Sequence, residues 1–272
     1  MPLEDFGFAK FASNRFYRRH NARLVDMVDV GPGQRIVDLA CGTGSVTWLI
    51  AERLKGARDS VVIGIDQSAA ALRQAMDDLK DVRDAAVQFV QSQVEQVSEA
   101  VRDSVDTVVF CNAIHYIPDK GALLADIGKT LKPGGKLAFN TSFFDGAHLP
   151  ETSLFYRKWM LKASRTLRRE YGLSPVRSEK VESRKQLSPE EYRELLEDNG
   201  FRVTKQEIDT VQVPLDGWVD ISAFTDFISG VMPGVPMEKA SAALRIAAAQ
   251  TFEEMKVEYI PRNWLDVVAV RV

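Results

Sequence analysis

Five short apolar runs alternate with amphipathic stretches through the first half of the chain, and this alternation limits the fold more than any other feature. The runs are RIVDLA (35–40), SVVIGID (60–66), AAVQFV (85–90), VDTVVF (105–110) and GKLAFNTSFF (135–144). Each is rich in Val, Ile or Phe and too short for a helix. Ser45–Lys55, Ser68–Lys80, Gln93–Arg102 and Asp119–Leu131 separate them with helical patterning. Strands alternating with helices build βαβ units, hence a parallel sheet covered on both faces. Breakers fall between elements: GPG at 31–33 before the first strand, KPGG at 132–135 before the fifth.

The second half is less regular. Residues 147–175 read as one long helix with aromatics. In LSPEEYRELLEDNGF (187–201), Ser188 is an N-cap, Pro189 opens the helix and Gly200 ends it. FRVTKQEIDTVQV (201–213) reads as a strand, 217–256 as a helical block broken by VMPGVP, and WLDVVAVRV (264–272) as a closing strand.

Bulk numbers narrow the class. At 272 residues and 45% apolar, the chain is long enough for one large domain and too apolar for disorder. A net charge of −3 argues against a surface that tracks nucleic acid. No stretch approaches the ~20 apolar residues that span a bilayer, and the first twenty residues lack the apolar core of a signal peptide. A cytoplasmic location is expected. Cys41 and Cys111 are too few for a disulfide framework and lack neighbours at metal-ligand spacing, so no metal is expected.

The turn after the first strand is built to hold a ligand against bare backbone. Gly42 and Gly44 join strand to helix, a device that lets a ligand approach closely and aims helix N–H groups at it. The dinucleotide fingerprint wants a third glycine where Thr47 stands, and no G-K-[ST] follows for a P-loop. An acid, Asp38, precedes the glycines instead, poorly placed for a phosphate and well placed for a cation. Asp66 ends the second strand, where an acid takes both hydroxyls of a ribose. A cationic, ribose-bearing ligand with an amino-acid tail fits the pair, which is S-adenosylmethionine.

VDLACGTG (37–44) resembles the first motif of class I S-adenosylmethionine-dependent methyltransferases. GIDQS resembles their acidic second motif, DTVVFCNAIHYI (106–117) their fourth, and LKPGGKLAF (131–139) the turn and strand after it. The resemblance spans roughly residues 10–145, with an echo in LSPEEYRELLEDNGF and the final strand, and is closest in general pattern to the ubiquinone and menaquinone methyltransferase-like branch and its natural-product relatives. It implies an α/β Rossmann-like fold: a seven-stranded, mostly parallel sheet with the last strand antiparallel, helices on both faces and helical lid insertions. The expected layout is an N-terminal helical cap (1–30), a cofactor-binding core (31–145), lid insertions (146–186 and 214–258) and returns to the sheet (187–213 and 259–272). Carried over, Gly42, Thr43 and Gly44 line the methionine tail and Asp66 binds the ribose. Asp38 orients the glycine loop or the amino group, and Ala40, Gln67, Val94 and Asn112 complete the cofactor set. The family often has an acid beside the adenine after the third strand; here FVQSQVEQV puts Gln93 there, whose amide can still bond the adenine edge.

For the acceptor, His115 after the fourth strand is the candidate base, since imidazole titrates near neutrality; the plainer reading is a loop cap. His20 and His148 are weaker candidates, Arg18 and Arg19 being expected to disfavour protonation of His20. Tyr17, Tyr116, Phe143 and Trp159 join them as expected acceptor-lining residues. No N/D-P-P-Y/F follows the fourth strand, and Cys111 lacks the preceding Pro or Thr of cytosine C5 enzymes. A small, hydrophobic or aromatic acceptor is therefore expected, by O- or C-methylation, with S-adenosylhomocysteine as product and no nucleic acid partner. The alternatives are a macromolecular, lipid or carrier-bound acceptor, and a non-catalytic S-adenosylmethionine-binding protein.

Tyr156, Met160, Ala163, Leu167 and Tyr171 are expected on one helical stripe, with Lys158, Lys162, Arg165 and Arg169 beside it. The basic stretch 155–185 reads as a solvated face or, more sharply, as a contact for an anionic membrane or an acidic carrier.

Overall fold

A computed structural model of the chain describes residues 7–57, 59–82, 85–176 and 186–272. The described elements run α1 (Ala9–Ala12), α2 (Arg15–Val28), β1 (Arg35–Leu39), α3 (Ser45–Arg53), β2 (Val61–Asp66), α4 (Ala69–Asp78) and β3 (Ala86–Gln91). They continue with α5 (Val97–Ala100), β4 (Val105–Cys111), α6 (Lys120–Thr130), β5 (Leu131–Thr141), α7 (Ser153–Tyr171) and α8 (Pro189–Asp198). The remainder is β6 (Phe201–Pro214), α9 (Leu215–Ile221), α10 (Thr225–Val231), α11 (Met237–Met255) and β7 (Tyr259–Arg271).

The seven strands form one sheet in the order β3-β2-β1-β4-β5-β7-β6. β1 pairs in parallel with β2 and β4, β2 with β3, and β4 with β5; β7 is antiparallel to β5. The order reverses between β1 and β4, so the crevice of this α/β sheet opens at their carboxyl ends. Alternate residues on the strands serve opposite cores. Val37, Ile63, Val108, Leu137 and Val267 pack on one face with α6 and α8. Ile36, Val62, Val109, Ala138 and Val268 pack on the other with α2 and α3. Both faces are dry, which is why these strands read as apolar runs rather than alternating ones.

The chain divides into two compact units. The sheet unit holds the described residues of Arg18–Ala147, Val181–Asp209 and Trp264–Val272; the helical unit holds those of Met1–Tyr17, His148–Lys180 and Thr210–Asn263. Residues 18–30 of the expected N-terminal cap thus group with the sheet. Helical patterning at Gln93–Arg102 resolves into a short 3-10 turn (Val94–Gln96) and the single turn α5. The helix expected over 147–175 is α7, shorter at both ends.

The buried stripe of α7 is Phe155, Trp159, Ala163 and Leu167, not the expected row through Tyr156, Met160 and Tyr171. A four-residue step keeps the larger rings on one side. Phe155, Trp159, Trp218, Phe227 and Phe252 form an aromatic cluster inside the helical unit. Residues 177–185 of the basic stretch lie outside the described residues.

Candidate functional site

Four strand ends of the sheet unit carry the predicted cofactor residues. Ala40 and Asn112, directly after the neighbouring strands β1 and β4, both hold left-handed backbone, φ 56° and 50°. Side chains other than glycine rarely adopt it, and such strain gathers at ligand sites. Gly42 (φ 54°) and Gly44 (φ 82°) continue the turn. A Cβ on Gly44 would sit 3.1 Å from Ala75 of α4, whereas one on Gly42 would meet nothing within 4 Å. Gly44 therefore serves packing, and Gly42 leaves open space where a ligand approaches backbone.

Asp66 is the hinge of this arrangement. Its Oδ2 accepts the Gly42 N–H at 2.8 Å and its Oδ1 the Ser68 N–H at 2.8 Å. Each carboxylate oxygen keeps a lone pair for a vicinal diol. The sheet thus fixes the acid, and the acid fixes the loop. Gln67 follows β2 and Gln93 follows β3, both exposed, and Val94 opens the turn after β3. Gln91 anchors this region by donating to the Gln67 carbonyl at 3.1 Å. The open flank of Gly42, the doubly held Asp66 and the exposed glutamine amides fit a ligand with a ribose and an adenine edge.

Asp38 plays a different part from a cation receptor. It is buried, and its Oδ2 accepts the Thr47 hydroxyl at 2.6 Å. Burial pushes its carboxyl up to about 7, against the pull of the Thr47 hydrogen bonds. The pair ties β1 to α3 beneath the loop, with Thr47 at the position where the dinucleotide fingerprint has glycine. Burial also raises both thiols, Cys41 and Cys111, above their ordinary values, which keeps either from being a nucleophilic thiolate.

Asn112 is pinned by β5. Its N–H donates to the Asn140 backbone carbonyl (2.9 Å) and side chain (2.8 Å), and its Oδ1 accepts from the Ser142 N–H at 3.0 Å. Asn140 is buried and also donates to Asn21 Oδ1 on α2 at 2.9 Å. Nothing in the sequence pattern marks Asn140, because its partners lie 28 and 119 residues away.

His115 follows β4 and is 8% exposed. Its Nδ1 lies 3.0 Å from Thr141 Oγ1 at the end of β5. Its ring sits 4.1 Å from Tyr116 and 5.4 Å from Phe143. Three of the expected acceptor-side residues are thereby brought together. The others are not part of this cluster. Trp159 is 1% exposed and donates its indole N–H to the Leu244 carbonyl, which makes it a core residue of the helical unit rather than a lining one. Tyr17 is buried against Phe8 and Phe11 in that unit. His148 faces Arg262 and Tyr156 there, and burial with the Arg262 charge lowers it to about 4.

His20 overturns its sequence reading. It is buried with Nδ1 3.0 Å from Asp209 and Nε2 3.2 Å from Asp266. Burial lowers its pKa, but the two carboxylates outweigh that and hold it above 6.5. Arg18 lies over the Trp48 ring, 5.1 Å away, because sequence neighbours on a helix do not face one another. Held between two carboxylates and buried, His20 is a structural group and not an acceptor-lining base. Among the described residues, no group of three or more His, Cys, Asp or Glu is arranged to hold a metal ion.

Residues 37–137 match a family model described as a methyltransferase domain. The chain is 36% identical over 140 residues to a trans-aconitate 2-methyltransferase of Azoarcus sp. (strain BH72), covering 51% of this chain and 50% of that one. It is 32% identical over 111 residues to a ubiquinone biosynthesis O-methyltransferase of Hahella chejuensis (strain KCTC 2396), covering 40% and 44%. The matched segment thus spans about half the length of these curated relatives. The fold is similar to a Haemonchus contortus phosphoethanolamine N-methyltransferase solved with phosphomonomethylethanolamine and S-adenosylhomocysteine. There the TM-score is 0.55 at 17% identity, over 97% of this chain and 56% of that one.

Proposed function

From its sheet order and the match of residues 37–137 to a methyltransferase-domain model, we propose that the chain is a class I S-adenosylmethionine-dependent methyltransferase that methylates a small molecule with S-adenosylmethionine as donor. The observation that carries the reading is Asp66, fixed by two backbone N–H groups beside the open flank of Gly42. Asp66 holds the ribose, Gly42 and Thr43 receive the amino-acid tail, and Gln93 meets the adenine. When bound, the cofactor supplies a methyl group on a sulfonium whose sulfur leaves as a neutral thioether. The protein's task is then alignment and exclusion of water, worth about 7–11 kcal/mol when the geometry is held.

The acceptor is an oxygen or an activated carbon that must lose a proton. Thr141 fixes the His115 ring through Nδ1, and Nε2 takes that proton, a contribution of about 10²–10⁴-fold. Tyr116 and Phe143 give His115 an aromatic wall, which favours a flat, apolar acceptor. The names of the two curated relatives denote small-molecule chemistry, which supports this reading.

The test has two steps. Calorimetry with S-adenosylhomocysteine should show Asp66→Ala binding at least about tenfold more weakly than wild type, one lost charge-assisted bond being worth about 1.5–3 kcal/mol; unchanged affinity removes the cofactor assignment. Radiolabelled S-adenosylmethionine should then place label in the solvent-extractable fraction of a cell lysate, and His115→Ala should lower turnover at saturating acceptor. Label in precipitated protein or nucleic acid would overturn the small-molecule acceptor.

A further inference from the structure

Helix α7 has two working faces. The inner one is the stripe from Phe155 to Leu167 already described. The outer one is built differently. Steps of 100° per residue place Leu154, Arg157, Leu161, Arg165 and Arg168 within one arc of about 80°. Leu154 is 42% and Leu161 51% exposed, and the three arginines are exposed as well. Lys158, Lys162 and Arg169 flank the arc, and no acid falls on it.

Not all of that charge faces outward. Lys158 and Lys162 both pair with Glu254 of α11, and those two ammonium groups hold its carboxyl down at about 2. Their role is to clip α7 to α11. Arg157, Arg165, Arg168 and Arg169 have no such partner among the described residues. The helix therefore divides its cations: the lysines serve the fold, and the arginines, with two leucines between them, form no ion pair among the described residues.

We propose that this outer face of α7 docks peripherally on an anionic lipid surface. Charge complementarity selects a polyanion, and the leucines select among polyanions. A nucleic acid backbone offers exposed aliphatic groups nothing, whereas the headgroup layer of a bilayer takes arginine and leucine together. The helix lies flat, with Arg157, Arg165 and Arg168 at the phosphates and Leu154 and Leu161 entering between them. No described helix is long and apolar enough to cross a membrane, so the contact is peripheral.

The whole chain would be sedimented with vesicles of phosphatidylcholine alone and of phosphatidylcholine mixed with phosphatidylglycerol, at low and high salt. It should pellet only with the anionic vesicles, and less at high salt. Each arginine should contribute roughly fivefold, so Arg165→Glu/Arg168→Glu should weaken binding by about 25-fold or more. Leu161→Ser should weaken it several-fold without changing its salt dependence. Thermal melting and S-adenosylhomocysteine affinity should stay at wild-type values in both variants, since the altered side chains project from the surface. Failure to pellet with anionic vesicles at low salt overturns the proposal. So does wild-type pelleting by the arginine variant, or binding to RNA that outcompetes the vesicles and ignores Leu161→Ser. The assay needs no methyl transfer, so its failure leaves the proposed reaction standing.

Discussion

Asp38 is a carboxyl group that the fold keeps dry. With an ordinary value of 3.8 raised to about 7, it holds its proton in the folded chain over a range where the unfolded chain has lost it. The unfolded state then binds fewer protons, so stability falls as pH rises through that window. Asp38→Asn should remove this slope, leaving stability higher by on the order of 2 kcal/mol near about pH 5 and by on the order of 4 kcal/mol near about pH 8. Denaturant melts at the two pH values check it; parallel slopes in variant and wild type would show that Asp38 is ionised in the fold. Residues of this kind differ in how well sequence reveals them. The turn at Gly42 and Gly44 and the place of Asp66 at a strand end can be read from the sequence because their constraint is local, whereas the packing of Gly44 against Ala75 cannot. Nor can the buried state of Asp38, since burial depends on α3 closing over it through Thr47.

At the scale of elements, legibility follows capping chemistry. Ser68 and Asp119 cap α4 and α6 by accepting N–H bonds, and Ser188 with Glu191 forms a full capping box on α8. Those signals lie within four residues and read directly. The inward row of α7 does not, because two helical rows of apolar residues compete and the choice rests on what packs against them. Phe155 and Trp159 win by meeting Trp218, Phe227 and Phe252. Trp159→Ala should accordingly cost about 3–5 kcal/mol in unfolding free energy, combining a cavity with the loss of the indole hydrogen bond to the Leu244 carbonyl. Chemical denaturation measures it, and a loss under about 1 kcal/mol would mark Trp159 as a surface residue.

Across the whole molecule, the parallel pairing of β1 to β5 could be read from the alternation of runs, and the antiparallel seventh strand from the family resemblance, but the order of strands across the sheet is fixed only by the structure. The interleaving of the two units could not be read either, because each is assembled from three separated pieces of chain. The His20 cluster shows what such assembly requires. It joins α2 to β6 and β7 across 189 residues, with Arg23 pairing Asp266 and Glu207 beside it. His20 has a folded pKa raised above 6.5, so its contribution is present in full below that value and fades as pH rises through the folded one. His20→Gln should lower stability near about pH 6 by about 3 kcal/mol and matter less in alkaline solution. Melting temperatures across that range decide it; a penalty that grows with pH would overturn the charged assignment.

The position of β7 between β5 and β6 has a consequence for how the protein is made. A ribosome delivers β6 well before β7, and until β7 emerges β6 has no neighbour to hydrogen-bond. Through that interval the nascent sheet ends at β5 and presents a bare edge, the kind of edge that pairs with other chains. Translation order and spatial order disagree at this one place. Pausing or premature termination after β6 would therefore leave β6 unpaired and one edge of β5 bare, and early contact with a chaperone is most useful to this chain in that interval.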